Sequence, residues 1–322
     1  IGTAILLGGF CVVKAVFAPV FLQEPVSLFD IAFAHSAFNI LCTLLMLPLS
    51  GFLERLVTRL VPEGELPEVE VELDDRLMVT PPIALERCRE VTADMAETAA
   101  GALKGALHLL KEYSPKEGEA IREKEERTDR YEDSLGSYLV ALSTKPMSEG
   151  DRREAAKLLK AIGDFERISD HAVNLLESAE EMRNKSLSFT DAAVSELGVI
   201  ACAVNEILEL SVEAFLKDDG EQAALVEALK QVIDQLKEQM RTHHILRLQQ
   251  GNCSIEAGFV WSDLLTNLER TAAHCSNIAG CVTDMTPQSM NLHESLRELR
   301  SESPEFAQNF QAYRQKYSLE RV

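Results

Sequence analysis

One segment occurs twice. Asp164-Phe-Glu-Arg-Ile-Ser-Asp-His-Ala-Val-Asn174 returns 103 residues later as Asn267-Leu-Glu-Arg-Thr-Ala-Ala-His-Cys-Ser-Asn277, with Glu, Arg, His and Asn at the same offsets. Four identities in register inside helical sequence point to a duplicated unit, and a duplicated unit restricts the fold to two similar bodies in tandem. The first copy also holds Glu166 and Asp170 four residues apart. On a helix that spacing puts both carboxylates on one face.

Composition narrows the class of fold and partner. Hydrophobic residues make up 46% and aromatics only 6%, a balance that suits helical bundles better than β-sandwiches. The formal charge of −20 falls after residue 60, because Lys14, Arg55 and Arg59 offset Glu24, Asp30 and Glu54 before it. A chain this acidic repels a phosphate backbone, so nucleic acid is not an expected partner. Seven scattered cysteines include no CxxC pair. They fit reduced thiols and indicate neither a disulfide scaffold nor a zinc site. P-loop, GxSxG, dinucleotide and HExxH motifs are all missing, and no nucleophile–base pair can be named, so the chain is not expected to be an enzyme.

The N-terminal region reads differently from the rest. The chain opens at Ile1 in an apolar run with no initiator Met, which is expected of a truncated start. Residues 1–22 are apolar apart from Lys14, and 31–53 contain no Asp, Glu, Lys or Arg. At about 1.5 Å per residue the second run spans a hydrocarbon core of about 30 Å; the alternative is a buried helical hairpin. Arg55 and Arg59 beyond it predict that residues 61–322 lie in the cytoplasm. His35, Ser36 and Asn39 place polar groups within this run, either lining a path or bonding neighbouring helices. An acidic linker follows, with Val69 to Leu73 as a short extended piece. Helical pattern then continues almost unbroken. Proline, glycine and capping residues divide it into helices over 83–113, 116–143, 148–184, 191–217, 220–248 and 254–284, with a short one over 305–317. The fold class expected is all-α: N-terminal transmembrane helices, then two tandem three-helix bundles. The domain limits are 1–58 for the membrane segments, 59–80 for the linker, 81–186 and 187–285 for the two bundles, and 286–322 for a polar tail.

In the first bundle the second helix offers Glu125 and Asp129, and the third Glu166 and Asp170. Facing inward, these four would provide oxygen donors for a hard or borderline cation. Otherwise they are solvated charges, or partners of Arg122, Arg127 and Arg167. The second bundle departs from this pattern: only Asp234 and Glu269 remain, with Lys230 and Ala273 at the other two places. There Lys230 can stand in for a cation. His171 and His274 each point about 100° away from the carboxylate position, which fits helix packing better than ligation. His243 and His244 read as surface groups, and Asn174 and Asn277 as helix caps or bridges.

Glu125-Glu-Arg-Thr-Asp129, the 165–174 motif and its copy at 268–279 resemble the metal-motif helices of the PhoU domain. Ile31-Ala-Phe-Ala-His-Ser-Ala-Phe-Asn39 followed by Leu47-Pro-Leu49 resembles the last membrane segment of bacterial sodium/phosphate cotransporters of the type II-related family, some of which carry a PhoU-like domain. The resemblance implies the C-terminal part of a sodium-dependent phosphate carrier, multi-pass in the cell membrane, with a cytoplasmic bundle that senses or restrains uptake. The alternative is an anchored PhoU-like regulator of phosphate homeostasis without transport. It implies iron, manganese or magnesium on the carboxylate faces and sodium as coupling ion. The partners would be inorganic phosphate, a lipid bilayer and a second copy in a homodimer.

Overall fold

The computed structural model describes residues 36, 38–41, 43, 73–283 and 304–319. Residues 1–68 and 69–322 form separate units. In the first, the described residues are helical, and the Thr43 hydroxyl donates to the Asn39 carbonyl at 3.0 Å.

In the second unit a short 3₁₀ turn, Asp75–Val79, leads into six long helices. These are α1 (Pro81–Leu109), α2 (Pro115–Ser143), α3 (Glu149–Asn184), α4 (Asp191–Lys217), α5 (Gly220–Gln249) and α6 (Ile255–Thr283). A shorter α7 (Pro304–Lys316) follows. The boundaries have local causes. Prolines start α1 and α2, where a missing N–H costs nothing. Ser148 Oγ accepts from the Asp151 N–H, Thr190 Oγ1 from that of Ala193, and Asp219 from those of Glu221 and Gln222. Asp218 and Gly251 take positive φ, 54° and 73°, and turn the chain out of α4 and α5.

Helices of 27–36 residues are roughly 40–54 Å long and gain most of their stability from side-by-side packing. α1, α2 and α3 pack mutually, as do α4, α5 and α6. The α3–α6 contact between the bundles is as extensive as those within them. The core is one continuous cluster through both bundles, with Phe165 and Trp261 among its largest fully buried side chains. Phe165 of the first bundle meets Phe215 of the second edge-on, with ring centres 5.2 Å apart. α7 lies on α5, and the hydroxyl of Tyr317, the residue just after it, bonds Glu206 on α4.

The expected transmembrane helices require correction. No helix among the described residues is long and apolar enough to cross a membrane. Even α4, with much of its surface in the core, carries Asp191, Glu196, Glu206, Glu209, Glu213 and Lys217. The span read over 1–22, and most of that over 31–53 and of the linker, lie outside the described residues. So does His35, while Ser36 and Asn39 are exposed on their helical segment.

Candidate functional site

The carboxylate face of the first bundle lies where α2 runs beside α3. Asp170 is the common neighbour. Burial, and then the charge of Asp170, push the Glu166 carboxyl up to about 7; a hydrogen bond with Asp170 and the charge of Glu132 add to this, and Arg167 opposes it. Glu125 is raised by burial first, then by Asp170, Asp129 and Glu126. The four residues of the two ExxxD pairs thus belong to one electrostatic neighbourhood, joined by Glu132 one turn further along α2. Arg167 bridges its edge, 3.0 Å from Asp170 and 3.3 Å from Glu166. Arg122 turns away to Glu180 at 2.8 Å, and Arg127 to the Tyr131 hydroxyl.

This is a repulsive face, not an assembled metal centre. Among the described residues no group of three or more His, Cys, Asp or Glu converges closely enough to hold a metal ion. Among the described residues the expectation of iron, manganese or magnesium on this face therefore finds no support. Arg167, beside Glu166 and Asp170, and Arg122, whose charge acts on Glu125, supply positive charge here.

The second bundle replaces repulsion by pairing. Lys230 lies 2.7 Å from Asp234, and Lys237 3.0 Å from Glu269. In the register that aligns Asp129 with Asp234, Lys230 replaces Glu125 and Lys237 replaces Glu132. Ala273 stands for Asp170. Five carboxylates in one bundle therefore correspond to two carboxylates and two lysines in the other. Lys237 was missed in the sequence, although it lies one turn beyond Asp234 on the same helix face.

A second constellation joins the bundles. His274 Nδ1 is 2.8 Å from Asp164 Oδ1, which also accepts from Asn277 Nδ2 at 3.0 Å. Reciprocally, His171 Nδ1 is 2.9 Å from Asn267 Oδ1. The first position of each copy of the repeated motif therefore meets the histidine of the other copy. Such an exchange requires α3 and α6 to cross antiparallel about a local two-fold. The imidazole centres are 5.5 Å apart. His171 is buried, its Nε2 has no partner among the described residues, and desolvation holds its pKa below the ordinary value. The histidines do serve helix packing, and Asn277 bridges helices, but the polar pairs linking the two copies were not foreseen. The available signal was the retention of Asx, His and Asn at fixed offsets within two otherwise apolar helix faces.

His243 and His244 are not simple surface groups. His244 is buried and stacked on Trp261 with ring centres 5.9 Å apart, and burial lowers its pKa. His243 reaches buried Glu196 at 2.7 Å, and Arg247 grips the same carboxylate through two bonds of 3.0 and 2.9 Å.

Comparison with known proteins follows this two-bundle plan. The family model described as "PhoU domain" matches residues 92–179 and again 200–282, more than half of the chain. The Phosphate-specific transport system accessory protein PhoU homolog 1 of Thermotoga maritima is 26% identical over 146 residues, 45% of this chain and 62% of that protein. The chain thus spans less than two thirds of that relative. The crystal structure of PhoU from Pseudomonas aeruginosa aligns with a TM-score of 0.59 and 20% identity, covering 62% of this chain and 94% of its own. The phosphate transport system regulatory protein PhoU from Streptococcus pneumoniae aligns at 0.56 and 18%, covering 63% and 94%. At these identities the structures speak for the fold. The matches correct the carrier reading: what aligns is the PhoU domain, in both copies. The identification as the end of a sodium/phosphate cotransporter is set aside. With it go sodium symport and the multi-pass location that put residues 61–322 in the cytoplasm.

Proposed function

The chain belongs to the PhoU domain family, and from that premise we propose that it restrains phosphate uptake by engaging a separate uptake or signalling protein. The family is regulatory and non-catalytic, and the chain is a PhoU-like regulatory domain related to phosphate homeostasis rather than an enzyme or a carrier. The observation that carries the proposal is the family match in both bundles, over 92–179 and 200–282. The charge distribution supports it. One bundle presents a face of mutually repelling carboxylates and the other a neutralised one, so the two bundles offer a partner different electrostatics. The continuous core and the reciprocal histidine pairs give a signal received at one bundle a mechanical route to the other.

The test is deletion of the gene in its own host, with complementation by the full chain. Phosphate uptake and a phosphate-starvation reporter are followed in phosphate-replete medium. Uptake and reporter should both rise on deletion and return to normal on complementation. Uptake that falls on deletion, or neither readout changing, would overturn the reading.

A further inference from the structure

At the end of the first bundle a cavity of about 720 Å³ opens between the C-termini of α1 and α3, the connection that follows α3, and the start of α4. Its walls are largely apolar, with Leu110, Leu187, Phe189 and Leu197 among them, and Lys111 and Arg183 also line it. We infer that this cavity binds a small anionic amphiphile, a medium-chain carboxylate being the representative. The chain would lie against the leucines and Phe189, with the carboxylate between Lys111 and Arg183.

Four observations support this. The volume falls in the range of small-molecule sites, about 300–1,000 Å³, and is short for a docked helix. The second observation is the pair of cations at the wall, Lys111 and Arg183. Acidic residues outnumber basic ones by 52 to 32, and the nearby Lys185 pairs with Glu181 at 2.7 Å. Lys111 and Arg183 nevertheless form no ion pair with a carboxylate among the described residues. Arg183 is held instead over the Tyr113 ring, 4.7 Å from its centre, an arrangement that positions the guanidinium and leaves its charge uncompensated.

The third observation is Gly198, which lines the cavity from within α4. A helix-interior glycine is a loss against alanine, and here no packing demands one: a Cβ would meet nothing within 4 Å. The fourth is Ser186, which takes φ of 52° where a helix usually ends in glycine. Bonds from the Ser186 and Leu187 N–H groups to the Arg183 and Met182 carbonyls, 3.1 and 2.8 Å, fix this turn. The turn returns Leu187 and Phe189 to the cavity wall. The apolar wall suits a hydrocarbon chain and the two cations suit an anionic head, so an apolar chain with one anionic head is the chemistry that matches the lining.

The cavity has an internal reporter. Phe189 meets the chain's only tryptophan, Trp261, edge-on at 5.0 Å. The full chain is titrated with decanoate, decanol and decyltrimethylammonium below their micellar concentrations, by calorimetry and by Trp261 emission. Decanoate should bind saturably with one site, and decyltrimethylammonium should not. Lys111→Glu combined with Arg183→Glu, both exposed, should weaken decanoate at least tenfold with an unchanged circular dichroism spectrum. Gly198→Leu, which fills the cavity, should weaken it comparably without lowering the melting temperature. The inference is overturned by absence of saturable decanoate binding, equal binding of the cationic amphiphile, or undiminished binding in either variant.

Discussion

The individual carboxylate with the clearest energetic consequence is Glu166. Its folded pKa of about 7 lies above its ordinary 4.5. A raised carboxyl stabilises the folded state fully below the lower value, and that contribution is lost as pH rises from 4.5 through 7. Glu166→Gln removes the penalty at high pH. After allowance for solvent screening, the variant should be more stable than the parent by on the order of 1 kcal/mol at pH 8, or about 2–4 °C in Tm. The advantage should vanish near pH 4.5. Thermal melts of both proteins across that range check it, and a Tm difference independent of pH would mean the face is ordinary solvated surface. His171 acts in the opposite direction. Its folded pKa is depressed, chiefly by burial, so it favours the folded state above its ordinary 6.5 and the contribution is lost as pH falls below that value. In melts between pH 7 and 5, His171→Gln should flatten the acid-side decline in stability.

Between helices, the determinants are particular atoms at crossings. Asp164→Ala leaves both His274 and Asn277 without their shared acceptor. It should cost about 2 kcal/mol, roughly 4–8 °C in Tm. In a double-mutant cycle, Asp164 and His274 should show coupling; strict additivity would mean the bond contributes nothing. Gly258→Ala tests another crossing. The new methyl would meet His244 Nε2 at 2.9 Å, and Trp261 stacks on that imidazole. A loss of about 1–3 kcal/mol is expected. What the sequence disclosed at this scale follows from locality. Helix ends were legible because Pro115, Ser148, Thr190 and Asp218-Asp-Gly220 act on their own backbone. The 191–217 and 116–143 limits differ from the observed helices by at most one residue. The Asp164–His274 pair was not legible, because which helix faces which is settled by packing over a separation of 110 residues. The carboxylate face was half legible: spacing along one helix placed each pair. The direction in which Arg122 and Arg167 turn depends on neighbours that no spacing reveals. The carrier reading failed because it rested on segments outside the repeated unit, chiefly 31–49, while the duplicated motif was already sufficient for the family that matched.

Taken as a whole, the unit formed by residues 69–322 is a pair of bundles that do not end at their own boundaries. The core is continuous, and Phe165 of one bundle packs on Phe215 of the other. Lys104 reaches Glu209 at 2.7 Å, and Lys157 reaches Asp218 at 2.9 Å, both across the junction. Exposed pairs such as the first contribute little alone. The α3–α6 crossing adds to the coupling of the apolar core, because its polar pairs are largely shielded from water. The two bundles should therefore unfold together. In urea, circular dichroism follows both bundles and Trp261 emission follows only the second, so coincident midpoints and slopes are expected for the parent chain. Asp164→Ala combined with Asn267→Ala removes both reciprocal acceptors while sparing the apolar core. In that variant the transitions should separate, with the circular dichroism slope falling as cooperativity is lost. Separate transitions already in the parent would show two independent bundles, and would remove the route by which one bundle could report to the other. Coincident transitions retained in the double variant would assign the coupling to the apolar core alone, and leave the histidine pairs to fix the register of the crossing.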